Sequence, residues 1–352
     1  MTASSLFDAD ALIGETLGGQ WTIESRLPPA STGGNFSVGF LGSTVDGRRV
    51  FIKVLNFDAA FRSADPTGTL QWLTEAYNFE RDLVERCGSG RLSRVVMAYG
   101  HGTEQSAASP LPTSYIVFEP ADFDVRRALD LDRDIDMSAK LRMAHHAASG
   151  LQQLHGLGIA HQDVKPSNLL VFSEPSSTRK HSKLSDLGRA SDRETVAWHD
   201  SFTIAGDRSY APPEQLYGEV YSSFAERRIA CDIYQLGNLV AFIMTGVTIN
   251  ARLKMHLHPS YSPENWGGTY GDVLPYVTAS HVAAVEDVET EIAHPLAREI
   301  ASIIRCTTDP DVGRRGHPAS RAAREPFALN RLVTELDLLA HRAELLVRRA
   351  TR

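Results

Sequence analysis

Ten residues, His161-Gln162-Asp163-Val164-Lys165-Pro166-Ser167-Asn168-Leu169-Leu170, constrain the fold more than any other stretch of this chain. They hold an acid, a cation and an amide at fixed offsets between a helical pattern and an apolar run. Upstream, Leu141, Ala144, Ala147, Ala148, Leu151 and Leu154 give Ser138–Leu157 the apolar face of a helix. Downstream, Leu169–Phe172 reads as a short strand. The segment between them is therefore a loop, and the five-residue step from Asp163 to Asn168 places both groups on one side of it. An isolated His-x-Asp would say little, but the whole string is specific.

The chain has 352 residues, enough for about two domains at ~150 residues each. A hydrophobic share of 42% permits a sizeable core and argues against wholesale disorder. A net charge of -7 argues against nucleic acid as a partner. Cys87, Cys231 and Cys306 are far apart and form no metal-type pair, which suggests buried thiols in a reducing compartment. Residues 1–19 show no basic region followed by an apolar core, so no signal peptide is expected. No apolar run approaches the ~20 residues a spanning helix needs; Leu236–Gly246 reads as a core helix. The expectation is a soluble cytoplasmic protein.

Trp21–Leu27 reads as a strand stopped by Pro28-Pro29. Ser31–Gly39 follows, with Gly33 and Gly34 ahead of Phe36. Such glycines let backbone N–H groups approach phosphate oxygens, or simply make a hairpin turn. Phe40–Val45 and Arg49–Leu55 read as a hairpin around Asp46-Gly47. Its second strand carries Lys53 among Val50, Phe51 and Ile52; a buried ammonium is costly, so Lys53 either reaches water or has a partner. Leu70–Arg86 is a helical run entered through Asp65-Pro66-Thr67-Gly68, and it carries Glu75 and Glu80. Arg94–Gly100 and Ser114–Phe118 read as strands, and Ser173–Ser182 as a polar loop. Met255–Ala279, with Pro259, Pro263 and Pro275, reads as an irregular insertion. Phe327–Arg349 is a helix whose Leu329, Leu332, Leu336, Leu339 and Leu346 suit packing on the body of the protein, or against a partner helix.

In this order the motifs resemble those of the eukaryotic-type Ser/Thr protein kinases, in their bacterial style, over about residues 14–325. The resemblance rests on the glycine-rich stretch, Val50-Phe51-Ile52-Lys53, the His161–Leu170 string, Lys183-Leu184-Ser185-Asp186-Leu187-Gly188, Tyr210-Ala211-Pro212-Pro213-Glu214 and Cys231-Asp232. It implies an α+β, two-lobed fold: a small five-stranded antiparallel sheet with one helix, then a helical lobe, with ATP in the cleft. The implied boundaries are 1–19 for a lead-in, 20–120 and 121–325 for the lobes, and 326–352 for the terminal helix. In that family Asp163 would accept the proton of the attacking hydroxyl and Lys165 would sit on the transferring phosphoryl group. Lys53 would hold the α/β-phosphates and pair with Glu80, with Glu75 as the alternative. Gly33, Gly34 and Phe36 would cover the phosphates. Backbone groups of Glu119 and Ala121 would meet the adenine, and Leu170 would lie beneath it. Asn168 and Asp186 would bind Mg2+. Asp232 would tie down the catalytic-loop backbone, and Arg315, with Arg314 close behind, would pair with Glu214. The implied partner is a protein substrate carrying Ser or Thr.

The chain departs from the family pattern at several places. Gln162 stands where Arg is commonest and normally receives an activation-loop phosphate, which implies activity without that phosphate. Thr32 and Ser37 replace glycines, and Leu187 replaces Phe. Phe51 replaces a small residue while Gly39 replaces a Val, a large-for-small exchange that conserves volume. Asp207 replaces a Thr that contacts the catalytic Asp and Lys. These departures also fit a pseudokinase acting as a nucleotide-binding scaffold or switch. A small-molecule phosphotransferase shares the His-x-Asp loop but usually lacks the counterparts of Glu214 and Asp232. Ser191, Thr195, Ser201, Thr203 and Ser209 are candidate phosphate acceptors in the activation segment.

Overall fold

The computed structural model describes residues 7–28, 37–106, 109–132, 135–173 and 180–350; the glycine-rich Gly33, Gly34 and Phe36, and Thr32, lie outside them. The chain divides into two compact units, Met1–Asp122 and Phe123–Arg352.

In the first unit the strands are β1 (Thr16–Leu17), β2 (Trp21–Arg26), β3 (Ser37–Thr44), β4 (Arg49–Leu55), β5 (Ala98–Ser106) and β6 (Ser109–Phe118). They form an antiparallel sheet in the order β1-β2-β3-β4-β6-β5. Asp46-Gly47 turns β3 into β4, with Gly47 at a φ of 81°. Alternation along β4 sends Val50, Ile52 and Val54 into the core and leaves Phe51, Lys53 and Leu55 on the opposite face. That apolar face needs a cover, and Phe7, Ala9, Leu12 and Leu17 supply it. The Phe7 N–H donates to Asp58 Oδ1 at 3.0 Å, tying the cover to the short helix α1 (Asp58–Phe61). The predicted lead-in is thus part of this unit's core, and its Thr16–Leu17 adds a sixth strand to the expected five.

Helix α2 (Pro66–Ser89) starts four residues earlier than predicted. Asp65 caps it by accepting the Gly68 N–H at 3.0 Å, and Pro66 occupies the first turn, where its missing N–H costs nothing. Strands β5 and β6 also differ from the sequence reading, which started β5 too early and β6 too late. Pro110 and Pro112 masked the start of β6. They lie where β6 pairs with β5 alone, since β4 reaches only Tyr115–Phe118, so the missing N–H groups cost no ladder bond to β4.

The second unit is mainly helical. It comprises α3 (Val125–Leu131), α4 (Met137–Gly156), α5 (Pro213–Leu216), α6 (Ala230–Thr245), α7 (Ile249–His256), α8 (Tyr270–Glu291), α9 (Ala297–Thr307), α10 (Pro318–Ala322) and α11 (Asn330–Ala350). Short antiparallel pairs join β7 (Phe123–Asp124), β9 (Leu169–Ser173) and β10 (Lys180–Leu184), and β8 (Ile159–Ala160) to β11 (Ser191–Asp192). Helix α6 is buried from Ala230 to Ala241, and Gly246 ends it in the left-handed region at a φ of 76°. Helix α11 packs on α4, where Arg142 grips Glu344 at 2.5 Å and Gln152 donates to Asn330 at 2.6 Å.

The predicted irregular insertion is a misreading over its second half. Tyr270–Ala279 lies within α8, and Pro275 sits inside that helix. Proline removes one helical hydrogen bond, but Thr269 caps the start, and Tyr270, Val273, Val277, Ala284, Val285 and Val288 bury a continuous stripe that holds the helix. Among the described residues no single helix is long and apolar enough to cross a membrane.

Candidate active site

In the second unit, α4 delivers the chain through β8 into the loop His161–Asn168, and α6 holds that loop from beneath. Asp232, fully buried, accepts the N–H groups of His161 and Gln162, each at 2.7 Å, and faces His155 Nε2 at 2.8 Å. A carboxylate this deep survives only with such donors around it. Gln235, one turn further along α6, completes the clamp. Its Oε1 accepts the Val164 N–H at 2.9 Å and its Nε2 donates to the Gln162 carbonyl at 2.8 Å. Gln162 itself adopts a φ of 65°, a left-handed conformation the clamp must enforce. Gln235 escaped the sequence reading; its signal was a position three residues after Asp232, on the same helix face.

Asp163 is held at both oxygens. Oδ1 accepts the Asp207 N–H at 2.8 Å. Oδ2 accepts Asn168 Nδ2 at 3.0 Å and lies 2.9 Å from Lys165 Nζ. Asn168 Nδ2 also donates to the Asp163 carbonyl at 2.8 Å. Both amide hydrogens of Asn168 are thus directed at Asp163, which turns its oxygen the other way. Burial disfavours the Lys165 ammonium, but Asp163, Asp207 and Asp186 raise its pKa above the ordinary value. Gly206 permits the close approach: a Cβ there would lie 2.2 Å from the Gln162 carbonyl and 2.9 Å from Asp163 Oδ1.

Asp207 meets the same two partners that the family's Thr would meet. Its N–H serves Asp163, and its carboxylate lies 3.6 Å from Lys165 Nζ while accepting the Ser209 N–H and hydroxyl. Partial burial works against its charge, but the Ser209 hydrogen bonds and Lys165 hold its pKa below the ordinary carboxylate value. Asp207→Ala keeps the backbone contact and deletes the carboxylate. A partly exposed ion pair is worth at most about 1 kcal/mol, so any transfer rate should fall about fivefold or less. Steady-state kinetics on a peptide acceptor would check this, and a hundredfold loss would show that the carboxylate does more than brace Lys165.

Asp186 follows β10 at a φ of 62°, and the Ser185 N–H before it donates to the Asn168 carbonyl at 2.9 Å. Asn168 oxygen and Asp186 carboxylate are hard donors of the type Mg2+ prefers, and they suit an ion that draws its remaining ligands from phosphate and water. Among the described residues no three His, Cys, Asp or Glu side chains gather into a metal site of their own.

In the first unit, Lys53 Nζ lies 2.7 Å and 2.9 Å from the two oxygens of Glu80, which is 7% exposed. Glu75 instead faces Gln71 on the exposed side of α2. Phe51 shares the Lys53 face of β4, with its ring 6.2 Å from that of Phe118. Gly39 stands on this face too, but directly opposite Lys53; Phe51 is flanked by Leu41 and Phe118, so the size exchange is diagonal. The Glu119 N–H donates to the Met97 carbonyl at 3.1 Å. Ala121 follows on the same stretch, and Leu170 lies half-buried in β9.

Glu214, at the start of α5, and Arg315 form a two-pronged ion pair, each contact 2.7 Å long. Burial works against the Arg315 charge, and the Glu214 carboxylate reverses that and keeps the guanidinium protonated. Arg314 faces Asp309 instead. Ser191 is buried with its hydroxyl on Asp200, which removes it from the exposed phosphate acceptors; Thr195, Ser201 and Ser209 are exposed and Thr203 is half-buried.

The family model of the protein kinase domain matches residues 34–258, more than half of the chain. The chain belongs to this family. Its kinase domain is 28% identical over 201 residues to the serine/threonine-protein kinase PknB of Mycobacterium leprae, covering 56% of this chain and 28% of that protein. It is 35% identical over 104 residues to the serine/threonine-protein kinase DCLK2 of Rattus norvegicus, covering 30% and 12%. It is 28% identical over 228 residues to the cysteine-rich receptor-like protein kinase 2 of Arabidopsis thaliana, covering 63% and 30%. The chain therefore spans less than a third of the length of these curated relatives.

Proposed function

We propose that this kinase domain transfers the γ-phosphoryl group of ATP to serine and threonine hydroxyls of protein substrates. The observation that carries the proposal is the Asp163 carboxylate, fixed by Lys165, Asn168 and the Asp207 N–H. A carboxylate held by three donors is preorganised to orient a hydroxyl and take its proton. In the transfer, the acceptor oxygen bonds to the γ-phosphorus as the bond to the β-bridging oxygen breaks. ADP leaves, and the hydroxyl proton goes to Asp163. Lys165 neutralises charge on the phosphoryl group in flight, and the Glu80-held Lys53 takes the α/β-phosphates. Asn168 and Asp186 would hold Mg2+, whose chemical contribution is to neutralise phosphate charge. Gly33, Gly34 and Phe36 over the phosphates, and Glu119, Ala121 and Leu170 around the adenine, complete the proposed nucleotide contacts.

Serine and threonine, rather than tyrosine, are favoured by Lys165 two residues after the Asp and by the relatives' names. Gln162 in place of Arg supports activity without an activation-loop phosphate. Three unpaired thiols support a cytoplasmic location.

The test is transfer of label from γ-labelled ATP to the protein itself, to a mixed Ser/Thr peptide library and to small alcohols and aminoglycosides. Wild type should label peptides, with Mg2+ required, and Lys53→Met and Asp186→Asn should lose the label. Label on the small molecules alone would reassign the domain as a small-molecule phosphotransferase. Nucleotide binding without any label would favour the pseudokinase.

A further inference from the structure

The catalytic loop lacks an arginine at position 162, yet a buried guanidinium reaches this place from elsewhere. A π-helical turn, Ala225–Ile229, precedes α6 and carries Arg227 and Arg228 toward the activation segment. Arg228, 2% exposed, donates from Nη1 to Gln162 Oε1 at 3.3 Å, and Gln162 Nε2 returns a bond to the Arg228 carbonyl at 2.8 Å. Arg228 Nη2 donates to the Asp200 carbonyl at 2.9 Å and lies 3.4 Å from Asp200 Oδ1. Arg227 adds a second bond to the Asp200 carbonyl, at 2.6 Å.

Asp200 is also the knot of its own segment. Its Oδ1 accepts the Ser191 hydroxyl at 2.6 Å and its Oδ2 accepts the Ala197 N–H at 2.7 Å. Ser191 pairs in turn with Ala160 of β8, immediately before the catalytic loop. The stretch 190–202 is therefore closed on one carboxylate and attached to the loop at two points, one through β8 and one through Arg228.

We propose that Asp200 and Arg228 are positioning residues for phosphoryl transfer, a permanent charge bridge that holds the activation segment on the catalytic loop where a phosphate would otherwise be needed. This rests on the transfer activity proposed above. The charge count supports it. Two guanidiniums, Arg227 on the Asp200 carbonyl and Arg228 beside its carboxylate, are met by two carboxylates, Asp200 and the buried Asp232 that accepts Gln162 Nε2 at 3.0 Å, and Gln162 adds no charge. An arginine at 162 would bring a third cation into a buried site, an excess that a dianionic phosphate would suit. A fixed carboxylate needs no second enzyme to install it.

The test uses the full chain prepared phosphate-free, verified by intact mass, and compares wild type, Asp200→Asn, Asp200→Glu, Arg228→Met and the Asp200→Asn/Arg228→Met double variant. Phosphate-free wild type should turn over as fast as phosphorylated protein. Asp200→Asn should lower kcat/KM for the peptide about tenfold, while the Kd for nucleotide stays within about twofold. Asp200→Glu should recover part of the loss, and the double variant should be no slower than Arg228→Met, because both changes break one bridge. Amide hydrogen exchange over 190–202 should accelerate in Asp200→Asn with the melting temperature nearly unchanged. Activity confined to phosphorylated wild type, or an Asp200→Asn variant as fast as wild type, would overturn the bridge alone. No transfer in either phosphorylation state would overturn the transfer reading and the bridge together.

Discussion

Asp163→Asn should bind nucleotide like the wild type and transfer phosphate about a thousandfold more slowly, within the range attributed to a positioned general base. The structure says why so small a change is so costly. The carboxylate receives Asp207 N–H on one oxygen, and Asn168 Nδ2 and Lys165 Nζ on the other. An amide offers one oxygen and one N–H2 group, so one side of the side chain must face a donor with a donor. Lys165 loses a counter-charge, and the acceptor hydroxyl loses its proton acceptor. Lys53 and Glu80 are untouched, so nucleotide-induced stabilisation in a thermal melt should persist. Rapid-quench measurement of a single turnover would isolate the chemical step. A loss smaller than tenfold would mean that another group takes the proton.

Glu214→Ala should be the most destabilising single change named here, by about 3–5 kcal/mol. Arg315 is fully buried, and its guanidinium meets both Glu214 oxygens at 2.7 Å. Removing the carboxylate leaves a buried guanidinium with the carbonyls of Asp309, Ala230 and Pro310 and the face of the Tyr234 ring around it. That loss is a large fraction of the roughly 5–15 kcal/mol by which a domain is stable. Calorimetry should show a melting temperature lower by about 10 °C. The double change Glu214→Leu/Arg315→Leu should recover much of it, because neither charge is then stranded. A Glu214→Ala protein that melts with the wild type would show that the buried pair does not hold the unit together.

The sequence made the site legible wherever neighbouring residues share one task. Asp163, Lys165 and Asn168 lie within one turn-sized loop, so their meeting depends on local backbone alone, and their spacing announces it. Lys53 was conspicuous because an ammonium in an apolar strand demands a partner. Choosing Glu80 over Glu75 needed the helix phase, which the flanking Leu83 and Val84 supplied. Contacts closed over long separations were harder. Gln235 and Arg228 look like ordinary helix residues until the loop is seen against them. The Asp207 contact to Asp163 runs through a backbone N–H, which every residue but proline carries, so side-chain identity could not reveal it. The same holds for Gly206, whose role is the space that it leaves. In the fold, Pro110, Pro112 and Pro275 stand inside regular elements, where pairing away from β4 and a buried apolar stripe outweigh the hydrogen bonds that they lack.

The covering of the first sheet by Phe7–Leu17 separates two boundaries that are easily conflated. The match to the family model begins at residue 34, but the apolar face formed by Phe40, Val50, Ile52 and Val54 is closed by side chains that lie before it. The smallest recognisable piece is therefore not the smallest cooperative one. Excision at the point of likeness would lay bare an oily plane with unpaired strand edges beside it, a template for aggregation. An inactive precipitate from such a fragment would report on where the cut was made, and would say nothing about the chemistry of the intact chain.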